Sequence, residues 1–179
     1  NERGADITVI AGAGPSADYD AFITRYLEQD AAYSDKMNGY MAGLGIKQPS
    51  VAAFRALTRE QQRELIVQVF FDELRASGRA ANAGSSKEFK RGRAAIATLF
   101  PGTDYAGDIN LYFSRIYTQH GGDINLLVPG GLVNAGLANT PPDAPEKSPD
   151  KLGIVAQGAG SVRAFSSGDF LVNQSRVFT

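Results

Sequence analysis

The chain has 179 residues, no cysteine, 43% hydrophobic residues and a formal net charge of −1 at pH 7. This composition is ordinary for a globular protein, and the near-zero charge argues against a general attraction to nucleic acid or to a membrane surface. No apolar run approaches the roughly 18 residues that a membrane helix needs. We therefore expect neither nucleic-acid binding nor membrane insertion. The lack of cysteine is compatible with export through an oxidising compartment, although it also arises by chance in cytosolic proteins.

Residues 1–14 predict one strand of a solenoid and the corner that follows it. Ala5-Asp6-Ile7-Thr8-Val9 alternates apolar and polar side chains, as a strand with one buried face does. Gly12-Ala13-Gly14-Pro15 resembles a fragment of a phosphate-binding loop, but it lacks the Gly-Lys-Ser that should follow. It is better interpreted as a turn.

Residues 15–103 have a different pattern, and they predict a helical insertion between two coils of the solenoid. Apolar side chains recur at helical spacing behind Asp18, a candidate N-cap. Insertions are tolerated at solenoid corners because each coil packs against its immediate neighbours alone. Two capping boxes predict the starts of further helices, Thr58 with Gln61 and Ser85 with Glu88.

The candidate binding residues lie in this helical part. One basic cluster follows the second capping box, and it predicts either a contact for an anionic glycan or an ordinary solvated helix face. Tyrosines recur every seven residues from Tyr19 to Tyr40, which indicates either an aromatic binding strip or a helix face that packs against the solenoid. The cluster consists of Lys87, Lys90, Arg91 and Arg93.

Residues 104–179 contain repeated strand-like phrases. Gly107-Asp108-Ile109-Asn110-Leu111 returns as Gly122-Asp123-Ile124-Asn125-Leu126 after 15 residues, and Ser114-Arg115-Ile116-Tyr117-Thr118 returns as Ser175-Arg176-Val177-Phe178-Thr179. Strand-like phrases that recur at a short period are typical of solenoids, and three strands per coil predict a parallel β-helix. A proline-rich stretch at about 138–152 predicts a loop inserted in one coil. Because the repeats run to both ends of the sequence, we expect a segment of a longer protein.

Alignment of the repeats predicts which side chains stack inside the coils. Alternate residues of a strand point to opposite faces, so one apolar column should form the core and the polar column beside it should face outward. An outward asparagine ladder, Asn110 above Asn125, would link neighbouring coils through side-chain amide hydrogen bonds. The expected core column is Ile7, Ile109, Ile124 and Val162.

Two features suggest chemistry, and each has a structural alternative. Asp108 stacked on Asp123, with Asp6 in the same column, predicts either a glycan-cleaving pair or cation site, or simple turn hydrogen bonds at strand starts. His120, the single histidine, is a candidate base or ligand, or a turn residue. In both cases the structural interpretation is the better one, so we assign no catalytic residue, metal ligand or cofactor.

The second half of the chain resembles the filamentous-haemagglutinin-like exoproteins of Gram-negative bacteria, in particular a conserved region toward their C-terminal part. The resemblance covers roughly residues 90–179 well and the helical part loosely. It implies a right-handed parallel β-helix, secretion by the two-partner route with an outer-membrane secretion partner, a cell-surface location and a role in adhesion. The phrases that carry it are Ala94–Pro101, Gly107–Leu111, Gly121–Gly131, Gly153–Val155 and Asp169–Thr179.

Three functions are compatible with these observations. The first is a non-catalytic structural and adhesive segment of a secreted surface exoprotein, whose partner is a host or bacterial surface glycan or protein. The second is a carbohydrate-active β-helix enzyme, which would need two carboxylates roughly 5–10 Å apart in a cleft. The third is a partner-binding helical insertion that the solenoid displays.

Overall fold

The chain divides into two units in the computed structural model of the protein. The sheet unit consists of Asn1–Gly14 together with Thr103–Thr179, and the helical unit is Pro15–Gly102. Each unit is built from its own elements and has its own core. The structure describes residues 4–14, 16–84, 89–102, 104–139, 141–144 and 147–179.

The helical unit contains five α-helices and one π-helix in its described residues. The first α-helix runs directly into the π-helix, so residues 19–28 are continuously helical with a change of pitch. The elements are α1 (Tyr19–Phe22), the π-helix (Ile23–Glu28), α2 (Ala31–Gly43), α3 (Val51–Arg55), α4 (Arg59–Asn82) and α5 (Lys90–Leu99).

Local hydrogen bonds explain where these helices begin. Asp18 accepts a hydrogen bond from the Ala21 N–H at 2.9 Å, which confirms it as the N-cap of α1. The capping box of Thr58 and Gln61 is confirmed at the start of α4. The expected box of Ser85 and Glu88 lies outside the described residues.

The core of the helical unit is apolar and rich in aromatic rings. Phe70 of α4 lies at its centre, with ring-centroid distances of 6.2 Å to Phe22 and 5.9 Å to Phe100. Such separations suit tilted and edge-to-face contacts, which add to the free energy of burial. The fully buried side chains include Phe22, Ile23, Leu27, Met37, Met41, Phe54, Leu65 and Ile66.

The sheet unit contains nine short strands in three parallel sheets. The sheet orders are β1-β4-β7, β2-β5-β8 and β3-β6-β9, so the second set of strands is central in every sheet. A 3₁₀ turn, Pro149–Lys151, precedes β6. The strands are β1 (Ile7–Ile10), β2 (Ile109–Asn110), β3 (Arg115–Thr118), β4 (Ile124–Val128), β5 (Val133–Asn134), β6 (Gly153–Ala156), β7 (Val162–Ser166), β8 (Phe170–Leu171) and β9 (Arg176–Phe178).

The prediction of a right-handed parallel β-helix is wrong. The described residues form three separate three-stranded sheets of strands two to five residues long, with no closed sheet and no solenoid among them. The spacing of paired residues is also irregular, because Ile124 pairs with Val162 after 38 residues whereas Ile109 pairs with Val133 after 24. The architecture is a mixed α/β one.

The strand register corrects part of the expected core column. Ile7, Ile124 and Val162 lie side by side across β1, β4 and β7. Ile109 does not join them, because it belongs to β2 and pairs with Val133. The 15-residue repeat therefore marks two strands, β2 and β4, that belong to different sheets.

The expected asparagine ladder is wrong for the same reason. Asn110 lies opposite Asn134 in the second sheet, whereas Asn125 lies between Thr8 and Arg163 in the first. The side chains that point inward from all three sheets form one buried cluster: Ile109, Leu111, Ile124, Leu126, Val128, Val133, Ala135, Ile154 and Ala156.

Candidate functional site

The repeated aspartates share one structural role. Asp6, Asp108 and Asp123 each precede a strand, and one carboxylate oxygen of each accepts a backbone N–H from the neighbouring strand of its sheet. Asp108 belongs to a different sheet from the other two, so the predicted stack of Asp108 on Asp123 is wrong. Each carboxylate satisfies a donor that the parallel ladder leaves unpaired at a strand start. The three donors are the N–H groups of Asp123, Leu132 and Ser161, at 2.7, 2.8 and 2.9 Å.

The single histidine lies in the turn between β3 and β4. His120 is exposed, and its backbone carbonyl accepts a hydrogen bond from the Gly4 N–H at 2.9 Å. Within the part of the chain that the structure describes, no group of three or more histidine, aspartate or glutamate side chains is arranged to hold a metal ion.

One member of the predicted basic cluster forms an ion pair within the protein. Lys87 lies outside the described residues, while Lys90, Arg91 and Arg93 are exposed at the start of α5. Arg91 is engaged by a carboxylate of α4, because its Nε donates to Glu73 Oε2 at 2.7 Å and an Nη donates to the other oxygen. The Arg91 guanidinium, a predicted glycan contact, is thus bound to Glu73.

Glu73 is the buried charge at the centre of this contact. Its side chain is 3% exposed, and it accepts a further hydrogen bond from the Tyr33 hydroxyl at 2.6 Å. Burial, together with this bond, raises the pKa of Tyr33, and the bond to Glu73 raises the pKa of Arg91. The network joins α2, α4 and α5, so it is a structural bond between helices.

The tyrosines spaced by seven residues have the same kind of role. The Tyr40 hydroxyl lies 2.9 Å from the Gln61 carbonyl oxygen and 3.0 Å from Glu64 Oε2. Tyr26 is buried, with its ring 4.6 Å from that of Phe22. These contacts are made within the helical unit, and they leave the rings unsuited to form an exposed aromatic strip.

A shallow, open groove in the helical unit is the best candidate for a binding site among the described residues. It has a volume of about 860 Å³, and it lies between the π-helix and α5. π-Helices are rare, and they occur frequently at functional sites. The groove is lined by Asp18, Asp20, Ala21, Thr24, Arg25, Gln29, Ala97, Thr98 and Pro101.

The polar side chains of the groove are held by neighbours. Arg25 donates to the Thr98 hydroxyl at 3.3 Å, and Thr98 in turn donates to the Ala94 carbonyl at 2.8 Å. On the opposite side, Arg55 donates to Asp20 at 2.7 Å and to the Thr24 hydroxyl at 2.7 Å. The groove therefore presents oriented carboxylate, guanidinium, hydroxyl and amide groups beside small apolar surfaces.

Such a lining suits recognition of a small polar ligand or of a polar segment of a partner. Ligand sites combine apolar surface with a few convergent polar groups that fix orientation. Nothing in the sequence predicted this groove. Buried positions at Phe22, Ile23, Tyr26 and Leu27 fit an α-helix and a π-helix equally well, so the spacing alone does not reveal the change of pitch.

Comparisons with protein-family models, with curated proteins and with solved structures found no significant match. Among the described residues, no helix is both long enough and apolar enough to cross a membrane.

Proposed function

We propose that this protein is a non-catalytic, structural and adhesive segment of a secreted bacterial surface protein, in which the helical unit makes the specific partner contact. The resemblance of residues 90–179 to exported surface proteins supports the location and the adhesive role. The observation that carries the partner contact is the groove between the π-helix and α5.

The use of the acidic side chains supports the non-catalytic part of the proposal. A glycan-cleaving pair needs two carboxylates that face one substrate bond. In the sheet unit, Asp6, Asp108 and Asp123 instead accept backbone N–H groups, and Asp123 also receives an Nη–H of Arg163. These bonds occupy the carboxylates in holding strands together.

The experiment is a binding assay with a variant that fills the groove. Ala97 lies on the groove wall and is exposed, so Ala97→Trp should block the groove without removing a side-chain hydrogen bond. Ala52, an exposed residue of α3 outside the groove, provides the matched control Ala52→Trp. Binding is measured on cultured epithelial cells and on a printed array of bacterial and mammalian glycans.

We expect the wild type and Ala52→Trp to bind the cells or at least one array component, and Ala97→Trp to bind at least tenfold more weakly. Equal binding by both variants would eliminate the groove as the contact. Failure of the wild type to bind either surface would refute the adhesive role. Turnover of any polysaccharide in a cleavage panel would refute the non-catalytic assignment.

A further inference from the structure

The sheet unit has two open edges. β1, β2 and β3 lie on one side of the central strands, and β7, β8 and β9 lie on the other. Among the described residues, each of these six strands has a paired neighbour on one side alone. An edge strand presents unpaired backbone N–H and C=O groups, with which a further strand can pair. Each edge therefore carries three strands that are able to accept further strands.

The apolar core is also incompletely covered at both edges. On the central strands the inward side chains of Ile124, Val133 and Ile154 are 0% exposed. Their neighbours in the same rows on the outer strands are half-buried, so they retain apolar surface whose burial is favourable. These half-buried side chains are Ile7 and Ile116 at the first edge, and Val162, Phe170 and Val177 at the second.

The alternation of backbone groups shows which residues face the open edges. Successive residues of a parallel strand direct their N–H and C=O groups to opposite neighbours. The Ile7 N–H donates toward β4 at 2.8 Å, so Thr8 faces away from β4. The Ser161 carbonyl accepts the Ile124 N–H at 2.8 Å, so Ala164, three residues further on, also faces away from β4. Thr8 and Ala164 are both exposed.

A carboxylate acceptor stands at the second edge. Asp108 precedes β2 and accepts the Leu132 N–H at the start of the neighbouring strand. Asp169 has the equivalent position before β8, because Phe170 and Ile109 belong to the same row of that sheet. The Asp169 side chain is exposed, and no donor reaches its carboxylate among the residues that the structure describes. It is therefore placed to accept an N–H at the start of a strand added to β8.

We propose that copies of this chain stack head to tail, with the β1-β2-β3 edge of one copy paired to the β7-β8-β9 edge of the next. The chain already makes this pairing twice, since β4 adds to β1 and β7 adds to β4 in one parallel register. Continuing the register places Ile7 of the next copy beside Val162, and Ile109 of the next copy beside Phe170. The Asp169 carboxylate then accepts the N–H of the next copy's Asp108. A second copy fits better than another partner because both complementary edges belong to the same chain.

One row opposes this stacking. The register places Arg176 of β9 opposite Arg115 of the next copy. Like charges directly opposite each other on neighbouring strands are destabilising. Arg115 is held beside its own strand, because its guanidinium lies 4.0 Å from the centre of the Tyr117 ring and donates to the Asp150 carbonyl at 3.3 Å. The repulsion therefore weakens the stack without preventing it.

The geometry of the contact determines the form of the assembly. A head-to-tail contact leaves one free edge at each end, so it does not close into a dimer. The weight-average mass of the wild type should rise with concentration beyond that of two copies. Sedimentation equilibrium measures this mass, and electron microscopy shows whether the larger species are linear.

Proline substitutions test each edge separately. Proline lacks the N–H that the added strand would use, and at an edge residue that faces away from β4 it leaves the pairing with β4 intact. Thr8→Pro and Ala164→Pro should each weaken association about tenfold or more. An equimolar mixture of the two should form a heterodimer and nothing larger, because each variant retains one intact edge. The controls Thr8→Ser and Ala164→Val retain the N–H and should associate like the wild type.

Two side-chain variants test the register. Asp169→Ala removes the acceptor and should weaken association about tenfold, with no change in the melting temperature of the monomer. Arg176→Ser removes the repulsion from Arg115 and should strengthen association. Circular dichroism verifies the fold of every variant.

Each contrary result has a defined meaning. A wild type that stays monomeric at every concentration would overturn the proposal. Undiminished association of either proline variant by itself, or a mixture that forms no heterodimer, would overturn the head-to-tail arrangement. Weaker association of Arg176→Ser would overturn the register. Because all these variants leave the groove of the helical unit unchanged, their outcome is independent of the function proposed above.

Discussion

The buried carboxylate of Glu73 provides the sharpest stability prediction. Its side chain is 3% exposed, and it is bonded to Arg91 through both oxygens and to Tyr33. Arg91→Ala leaves a buried negative charge without its cation, a change that costs about 3–5 kcal/mol in proteins. The Arg91 side chain is 52% exposed, so water can enter the space it leaves. We therefore expect a loss at the lower end of that range, about 3 kcal/mol.

The measurement is urea unfolding of the helical unit, followed by its helix signal in circular dichroism. Arg75→Ala is the matched control, because Arg75 makes an exposed ion pair with Asp72 on the same helix; it should cost less than about 1 kcal/mol. In Glu73→Gln/Arg91→Ala the buried group is neutral, so the two changes should couple by about 1–3 kcal/mol. The reasoning fails if Arg91→Ala costs no more than Arg75→Ala, or if the double variant is simply additive.

Four further predictions concern the core of the sheet unit, a turn, a helix and the pH dependence. Ile124→Asp places a charge at a fully buried position of the sheet unit and should lower its free energy of unfolding by several kcal/mol. Thr8→Asp, at an exposed position, should lower it by less than about 1 kcal/mol. Hydrogen exchange of the strands distinguishes the two variants. Gly122 has a φ of +98° and its Cβ would lie 2.4 Å from the Ala5 carbonyl, so Gly122→Ala should lower the melting temperature of the sheet unit. Gly39→Ala, in open space on α2, should stabilise its helix by about 0.5–1 kcal/mol. Burial and the bond to Glu64 raise the pKa of Tyr40 to about 12. Since an unfolded tyrosine ionises near pH 10, the free energy of unfolding of the helical unit should fall between about pH 10 and pH 12. Urea unfolding measures this fall, which should be smaller in Tyr40→Phe.

Local features of the sequence predicted local structure well. The Asp18 cap and the box of Thr58 and Gln61 involve hydrogen bonds over three residues, so the required partners stand close together in the sequence. The cap of α2 is also local, because Asp30 accepts from the Ala32 N–H at 3.0 Å and begins that helix.

Pairing between distant strands was predicted less well, for a physical reason. Ile109 and Ile124 stand in identical phrases, and the phrase itself does not specify which sheet a strand joins. That choice depends on the lengths of the turns and on the loop before β6, which differ along the chain. A repeated sequence motif shows that the same local environment recurs, but it does not determine with which strand each copy pairs.

The buried carboxylate of Glu73 was detectable in the sequence. It stands four residues after Val69 and three after Phe70, which places it on the apolar face of α4. An acidic residue at such a position needs a cation or a donor. The sequence does not say that Arg91, 18 residues later, supplies it, because this contact depends on how α5 packs against α4.

The repeated aspartates and arginines of the sheet unit recur for different reasons. Asp6, Asp108 and Asp123 recur because every strand start has a backbone N–H that needs an acceptor, so their repetition follows from the backbone. Arg115 and Arg176 also recur, but the central strand between them has a buried glycine, Gly153, at that position, so pairing within the sheet does not explain the arginines. A strictly repeated side chain meets a need of the backbone, whereas a side chain that one strand of the row lacks does not.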